Sequence, residues 1–84
     1  MRLVFAEQAW EDYLHWQATD RTLLQPIHAL IKEASRTPFE GSGKPEPLRH
    51  ALSGFWSRRI NEEHRMIYKL DGDSLLIAQL RYHY

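Results

Sequence analysis

The chain has 84 residues, enough for one small domain spanning residues 1–84, and its composition excludes several classes of protein. Hydrophobic residues make up 43% of the chain and aromatic residues 12%, which argues against intrinsic disorder. Cysteine is absent, so disulfide frameworks and thiol chemistry are excluded. No apolar run approaches the ~20 residues that cross a bilayer, and the apolar start of the chain is too short for a signal-peptide core. We therefore expect a cytoplasmic protein with no membrane partner.

The charges are balanced overall but unevenly distributed. Residues 1–42 carry four basic and six acidic side chains, a net charge of −2, whereas residues 43–84 carry seven and five, a net charge of +2. An excess of this size is weak evidence for a nucleic-acid partner. The placement of the arginines among tryptophans and tyrosines in the second half is more informative than the total.

The first half of the chain predicts a short strand and two helices. Residues 3–5 suit a strand, and from Glu7 onward apolar side chains recur at helical spacing. Asp20 suits the N-cap of a second helix, which runs toward Ser35 with Pro26 in its first or second turn. We expect the two helices to form a hairpin that covers one face of a sheet.

The second half predicts a long loop followed by strands. Residues 37–47 include three prolines and two glycines, which indicates a loop, and loops of this length in small domains are often functional. Turn residues then separate four strand-like runs at residues 48–52, 55–61, 64–70 and 74–82. The expected fold class is therefore α+β, with two N-terminal helices packed on a mostly antiparallel β-sheet.

Alternation in the last two predicted strands indicates which side chains face the helices. If residues 71–73 form a three-residue loop, one face is apolar or aromatic throughout and carries Met66, Tyr68, Leu70, Leu76, Ala78, Leu80 and Tyr82. The opposite, outer face then carries Leu75, Ile77 and Gln79 together with the charged residues Arg59, Arg65, Arg81 and His83. Arg58 falls on the inward parity, which we attribute to an edge position.

Charged residues of the outer face and the loop have the chemistry to cleave a phosphodiester. Cleavage of RNA by its own 2′-hydroxyl needs a base, a cation that stabilises the phosphorane, and an acid that protonates the leaving 5′ oxygen. Glu46, Arg65 with Arg59, and His83 fit these three roles without a metal or other cofactor. Aromatic residues suited to stacking on bases lie near them in the sequence: Phe55, Trp56, Tyr82 and Tyr84.

Each of these residues also has an ordinary structural explanation. A glutamate in a proline-rich loop, such as Glu46, is usually only solvated. Arg59 and Arg65 on a strand face commonly pair with neighbouring acidic residues, and His83 near the chain end is more often an exposed side chain. The remaining histidines lack the spacing of metal ligands, so no metal site is predicted. From the residues alone, an anion-binding α+β domain is predicted and catalysis stays open.

Several motifs together make the sequence distinctive. They lie at residues 36–48, 52–60, 63–65 and 81–84, and include Gly-Lys-Pro-Glu-Pro-Leu and a terminal Tyr-His-Tyr, a combination that is hard to obtain by chance. With these motifs the whole chain closely resembles the Txe/YoeB family of toxins, within the wider RelE group of toxin–antitoxin systems.

The resemblance implies a microbial-ribonuclease-like fold and cleavage of mRNA in the ribosomal A site, which stops translation. By position, Glu46 is similar to the family's general base, His83 to its general acid and Arg65 to the cation that stabilises the phosphate. Further residues correspond to supporting phosphate or substrate contacts: Arg49, Arg59 and Tyr84. The resemblance also implies neutralisation by a YefM-type antitoxin, and commonly a toxin homodimer.

Two residues depart from the family pattern. Arg49 stands where lysine is usual, and Ser42 stands where a basic residue is common, so contacts to phosphate or ribosomal RNA differ there. Neither departure touches the proposed acid–base pair. The alternative function is a non-catalytic module with the toxin fold, which poisons gyrase or docks an antitoxin or DNA. The joint presence of Glu46, Arg65 and His83 argues against this alternative.

Overall fold

The computed structural model describes residues 1–82, in which two helices pack on one face of a five-stranded sheet. The elements in chain order are β1 (Arg2–Phe5), α1 (Glu7–Thr19), α2 (Leu24–Arg36), β2 (Glu46–Pro47), β3 (Trp56–Arg59), β4 (Arg65–Asp71) and β5 (Ser74–Gln79). The strand order is β1-β5-β4-β3-β2, with β1 parallel to β5 and every other pair antiparallel. The predicted α+β class, with two N-terminal helices on a mostly antiparallel sheet, is confirmed.

Both helices form where the apolar spacing predicts them. Pro26 lies in the first turn of α2, where its missing N–H would have had no partner within the helix. Asp20 caps the 3₁₀ turn Arg21–Leu23 that leads into α2, and its carboxylate accepts the Thr22 N–H at 3.2 Å. No helix within residues 1–82 is long and apolar enough to cross a membrane.

The hydrophobic core lies between the helices and the sheet. Most of its buried side chains come from α1, α2, β4 and β5, and Leu80, directly after β5, is buried there too; they include Trp16, Ile27, Ala34, Tyr68 and Ile77. Burying one large apolar side chain is worth roughly 1.5–3 kcal/mol, so this layer stabilises the helices on the sheet. It also leaves the other face of the sheet free to carry polar groups.

The loop between β4 and β5 is shorter than predicted. Asp71 pairs with Ser74, so the loop consists of Gly72 and Asp73 instead of three residues. Gly72 has a φ of 59°, a left-handed conformation that glycine adopts readily at the first position of a two-residue hairpin loop. The prediction of a three-residue loop is therefore wrong.

The shorter loop changes which side chains of β5 face the helices. Leu75 and Ile77 pack in the core and are fully buried, whereas Leu76 and Ala78, which were predicted to face inward, are outside it. A loop that loses one residue moves every following side chain to the other face. A β-bulge near the end of β5 then adds one residue to that strand, so Leu80 is buried as predicted.

The residues that follow β5 also differ from the predicted strand. Tyr82 exposes 55% of its surface instead of facing the core. The Arg81 guanidinium lies over the indole of Trp16, 5.6 Å from the ring centre, instead of joining the outer face. Regular alternation ends at Gln79 because β5 carries a bulge and because Asp12 and Trp16 of α1 bind the backbone of Leu80.

Residues 48–52, predicted to be a strand, form a turn. His50 has a φ of 58°, which is incompatible with an extended strand, and the 3₁₀ turn His50–Leu52 is closed by the Ser53 N–H donating to the His50 carbonyl at 3.0 Å. As a result, the edge strand β2 has only two residues, and Glu46 is the first of them.

Candidate active site

The sheet face that points away from the helices carries a shallow depression of about 90 Å³. Glu46 lies directly opposite Ser57, and Ser57 lies opposite Ile67, which places these three side chains on one face. The depression is lined by Glu46, Leu48, Ser57, Arg65 and Ile67. The predicted base and the predicted phosphate-binding cation therefore share one site.

Arg65 is held in this depression by Ser57. Its guanidinium Nη1 donates to the Ser57 hydroxyl at 3.2 Å, and Ser57 is only 2% exposed. Sequence reasoning missed Ser57, because a serine within a strand carries no functional signal until the cross-strand register is known. The bond restrains a long, flexible cation on the face where Glu46 also lies.

Arg59 is the cross-strand partner of Arg65. The two arginines occupy directly opposite positions on β3 and β4, and the Arg59 side chain is exposed. Like charges at directly opposite positions repel each other, and an anion between them removes that repulsion. The pair therefore concentrates positive charge on the sheet face that carries the depression.

Three further residues belong to the predicted site: Arg49, His83 and Tyr84. Arg49 is exposed and precedes the turn His50–Leu52, outside the set of residues that line the depression. His83 and Tyr84 lie outside the described residues. The structure thus brings together Glu46, Arg65 and Arg59 from the predicted set.

Two of the aromatic residues predicted to stack on bases, Phe55 and Trp56, are not among the residues that line the depression. Trp56 is opposite Tyr68, on the helix-facing side, and its ring contacts Phe39 with centroids 4.8 Å apart. Phe55 lies under the Lys69 ammonium group, which is 5.0 Å from the ring centre. Trp56 is therefore a packing residue at the margin of the core, as expected for a bulky apolar side chain in so small a domain.

Buried Arg58 anchors the loop that leads to Glu46. Its Nε donates to the Tyr68 hydroxyl at 2.9 Å, and Nη1 lies 3.5 Å from the Glu33 carboxylate. Its two Nη atoms also donate to backbone carbonyls in the loop, those of Thr37, Glu40 and Ser42. The predicted edge position of Arg58 is wrong, because β3 lies between β2 and β4. The inward guanidinium instead donates to backbone carbonyl groups of the loop.

Tyr68 completes this anchor. Its hydroxyl accepts from Arg58 and donates to the Pro38 carbonyl at 2.6 Å. Burial raises the pKa of Tyr68, so the hydroxyl keeps the proton that it donates. The loop is thereby fixed to the centre of the sheet, on the opposite face from the depression.

Glu33 makes the stability of this anchor depend on pH. The Ser42 N–H donates to the Glu33 carboxylate at 3.0 Å, and this bond, with the nearby Arg58 charge, holds the pKa of Glu33 below its ordinary value of 4.5. A carboxyl group with a depressed folded-state pKa stabilises the fold above its unfolded-state pKa, and the stabilisation is lost as pH falls through the folded-state pKa. Glu33→Gln should therefore reduce the decline in the free energy of unfolding below about pH 5, measured by urea denaturation.

The matched control for this prediction is Glu11→Gln. Glu11 is exposed on α1, so its replacement removes one carboxylate without touching the loop. The free energy of unfolding of this control should decline in acid as steeply as that of the wild type. A decline in Glu33→Gln that is as steep as in the control would contradict the prediction.

Comparison with known proteins gives the family. Residues 5–84 match the family described as the YoeB-like toxin of bacterial type II toxin-antitoxin systems. Toxin YoeB of Escherichia coli strain K12 is 62% identical over 84 residues, which cover 100% of both chains. The solved structure of the YoeB/ParE toxin from Agrobacterium tumefaciens is similar to this chain with a TM-score of 0.97 and 48% identity. The alignment covers 100% of both chains.

A relative from Staphylococcus aureus has been solved in two assemblies. One is a YoeB dimer, with a TM-score of 0.92 and 42% identity, and the other is a YoeB–YefM complex, with a TM-score of 0.90 and 41% identity. Each alignment covers 100% of this chain and 98% of the relative. By family match, identity and fold, the chain belongs to the YoeB-like toxins of bacterial type II toxin–antitoxin systems.

Proposed function

We propose that this toxin is an endoribonuclease that cleaves mRNA in the ribosomal A site and so stops translation. The observation that carries the proposal is that Glu46 and Arg65 line one depression, with Arg59 opposite Arg65. A carboxylate beside two guanidinium groups combines a proton acceptor with a phosphate-binding site. The resemblance of the terminal residues to the family pattern adds His83 as the proton donor.

The proposed reaction uses the neighbouring 2′-hydroxyl of the RNA. The Glu46 carboxylate takes the 2′ proton while the 2′ oxygen forms a bond to phosphorus. Arg65, with Arg59, stabilises the charge that develops on the non-bridging phosphate oxygens. His83 donates a proton to the 5′ oxygen as the bond from phosphorus to that oxygen breaks. The products are a 2′,3′-cyclic phosphate and a 5′-hydroxyl end.

These roles require no metal or other cofactor, because side chains supply the base, the cation and the acid. Two further residues are proposed to contact the RNA beside the cleaved bond. Arg49 is an exposed cation close in the sequence to Glu46, and Tyr84 follows the proposed acid directly. Both serve binding and orientation in the proposal, and neither takes part in proton transfer.

The proposal extends to the partners of the toxin. Because the Staphylococcus aureus relative is known as a dimer and in a complex with YefM, we propose a homodimer and neutralisation by a YefM-type antitoxin. The substrate is mRNA on the ribosome, so the proposed place of action is the cytoplasm.

Mapping of mRNA 5′ ends in a translating extract tests the proposed function. The wild-type toxin should produce new 5′-hydroxyl ends at defined codon positions, whereas Glu46→Ala and His83→Ala should produce them about 10²–10⁴-fold more slowly, because each lacks one proton-transfer group. The same mRNA without ribosomes should stay intact.

Two results would contradict the proposal. If translation stops without new mRNA ends, the toxin acts by binding, which is the alternative function. If both variants cut as well as the wild type, Glu46 and His83 are not the base and the acid.

A further inference from the structure

The segment that follows β5 is bound at its backbone shortly before His83. The Leu80 N–H donates to the Asp12 carboxylate at 2.9 Å, and the Trp16 indole N–H donates to the Leu80 carbonyl at 3.0 Å. Asp12 is 1% exposed, and its other oxygen accepts from the Gln8 side chain at 2.8 Å. Two side chains one turn apart on α1 therefore hold both backbone groups of Leu80.

Both backbone groups of Tyr82 are bound as well, by residues between β3 and β4 and at the start of β4. The Tyr82 N–H donates to Nδ1 of His64 at 2.8 Å, and the Arg65 N–H donates to the Tyr82 carbonyl at 2.9 Å. That carbonyl belongs to the peptide bond that joins Tyr82 to His83. Since a backbone N–H can only donate, Nδ1 of His64 acts as the acceptor, and the neutral ring carries its proton on Nε2.

The hydrogen bond from Tyr82 supports an unusual backbone conformation. Tyr82 has a φ of 60°, in the left-handed region that residues with a side chain adopt only when other contacts hold them there. The His64 ring that accepts the bond is itself held in place, because it is 6% exposed and packs edge-on against Trp16 with centroids 4.6 Å apart. Its Nε2 lies 3.6 Å from the Glu63 carboxylate.

We infer that His64 is a positioning residue for RNA cleavage. By accepting the Tyr82 N–H, His64 stabilises the left-handed conformation of Tyr82, the residue that directly precedes His83 in the sequence. The Tyr82 carbonyl is bound in turn by the backbone N–H of Arg65, the proposed phosphate-binding residue. This inference rests on the proposed function, in which His83 is the acid. The required property of His64 is a hydrogen-bond acceptor at Nδ1; aromatic packing against Trp16 is a separate, purely structural property.

Two substitutions of His64 distinguish the effect of losing the hydrogen-bond acceptor from the effect of losing the aromatic ring. His64→Phe keeps an aromatic ring against Trp16 but removes the acceptor. His64→Asn removes the ring but places a carbonyl oxygen near the position of Nδ1. We expect His64→Phe to lower kcat for ribosome-bound mRNA by about 10- to 100-fold with KM unchanged, because a displaced catalytic group costs rate more than binding. His64→Asn should recover most of the wild-type kcat.

A double variant tests whether His64 acts through His83. In a His83→Ala background, adding His64→Phe should not slow the residual cleavage further, because the group that it positions is already absent. General weakening of the fold would instead lower the rate by the same factor in both backgrounds. His28→Phe is the matched control, since the hydrogen bond of the His28 ring is to the Tyr13 hydroxyl instead of to Tyr82. This control should cut mRNA at the wild-type rate.

The outcomes are distinct. Three results together support the inference: His64→Phe lowers kcat, His64→Asn keeps most of the wild-type kcat, and adding His64→Phe to His83→Ala causes no further loss of rate. Wild-type kcat in His64→Phe, or equal losses in both backgrounds, would overturn it. His64→Asn decides the question even if His64→Phe fails to fold, because a packing role predicts loss of activity and an acceptor role predicts retention. If the wild type makes no cuts while His83→Ala is equally inactive, the proposed function itself is wrong.

Discussion

Glu46→Gln should lower the rate of mRNA cleavage by about 10²–10⁴-fold, because glutamine keeps the size of the side chain but cannot accept the 2′ proton. Affinity for ribosome-bound mRNA should be kept or increased, since the change removes a negative charge from the depression where Arg65 is proposed to bind phosphate. The free energy of unfolding should change by less than about 0.5 kcal/mol, because Glu46 is exposed in a two-residue strand. Single-turnover cleavage on programmed ribosomes separates the rate from the affinity.

Glu40→Gln is the matched control for this substitution. Glu40 is an exposed glutamate of the same loop, and only its backbone carbonyl takes part in the Arg58 anchor. The control should cleave at the wild-type rate. A Glu46→Gln variant that is equally fast would show that another group takes the proton. Weaker binding with an unchanged rate would assign Glu46 to substrate binding instead of proton transfer.

The parts of the fold that could be predicted are those that local patterns determine. The helices α1 and α2 follow from apolar spacing, and the long loop follows from its prolines and glycines. The face of each β5 side chain could not be predicted in the same way, because it depends on whether the hairpin loop has two or three residues. That single residue of loop length moved Leu75 and Ile77 from the outer face into the core.

For the candidate site, the sequence predicted the sheet face of the arginines but not the residues that hold its parts in place. Arg59 and Arg65 were placed on the outer face correctly, because their parity depends on β3 and β4 and not on the misjudged loop. The roles of Ser57 and His64 could not be found in the sequence, since their partners lie in other strands or near the end of the chain. A residue that acts through a distant backbone group leaves no local pattern.

Arg58 is the clearest case of a residue whose role needs the three-dimensional structure. An arginine at an inward position conflicts with the apolar pattern of a core strand, and the sequence offers no partner for it nearby. Its acceptors are mainly backbone carbonyls of the loop, groups that every residue possesses and that no motif identifies. The conflict is resolved only when the loop is seen to fold back over β3.

Arg58→Met should lower the free energy of unfolding by about 3–5 kcal/mol, measured by urea denaturation at neutral pH. Methionine fills much of the space but donates no hydrogen bond, so Glu33 and the Tyr68 hydroxyl each lose a partner. The loop carbonyls that Arg58 binds lose their donor as well, and each buried polar group left without a partner costs roughly 1–3 kcal/mol. Water that reaches the loosened loop can bond to some of these groups and so reduces their summed cost. The expected loss of free energy is therefore smaller than the sum over all the broken hydrogen bonds.

Arg59→Met is the matched control, because Arg59 follows Arg58 in β3 but is exposed on the opposite face. Its free energy of unfolding should stay within about 0.5 kcal/mol of the wild type, although cleavage should slow because a cation proposed to bind phosphate is lost. Equal stabilities of the two variants would mean that water replaces the donors of Arg58 without cost. The loop would then have to be held by its remaining contacts, chiefly the hydrogen bond from the Arg59 N–H to the Gly43 carbonyl at 2.7 Å.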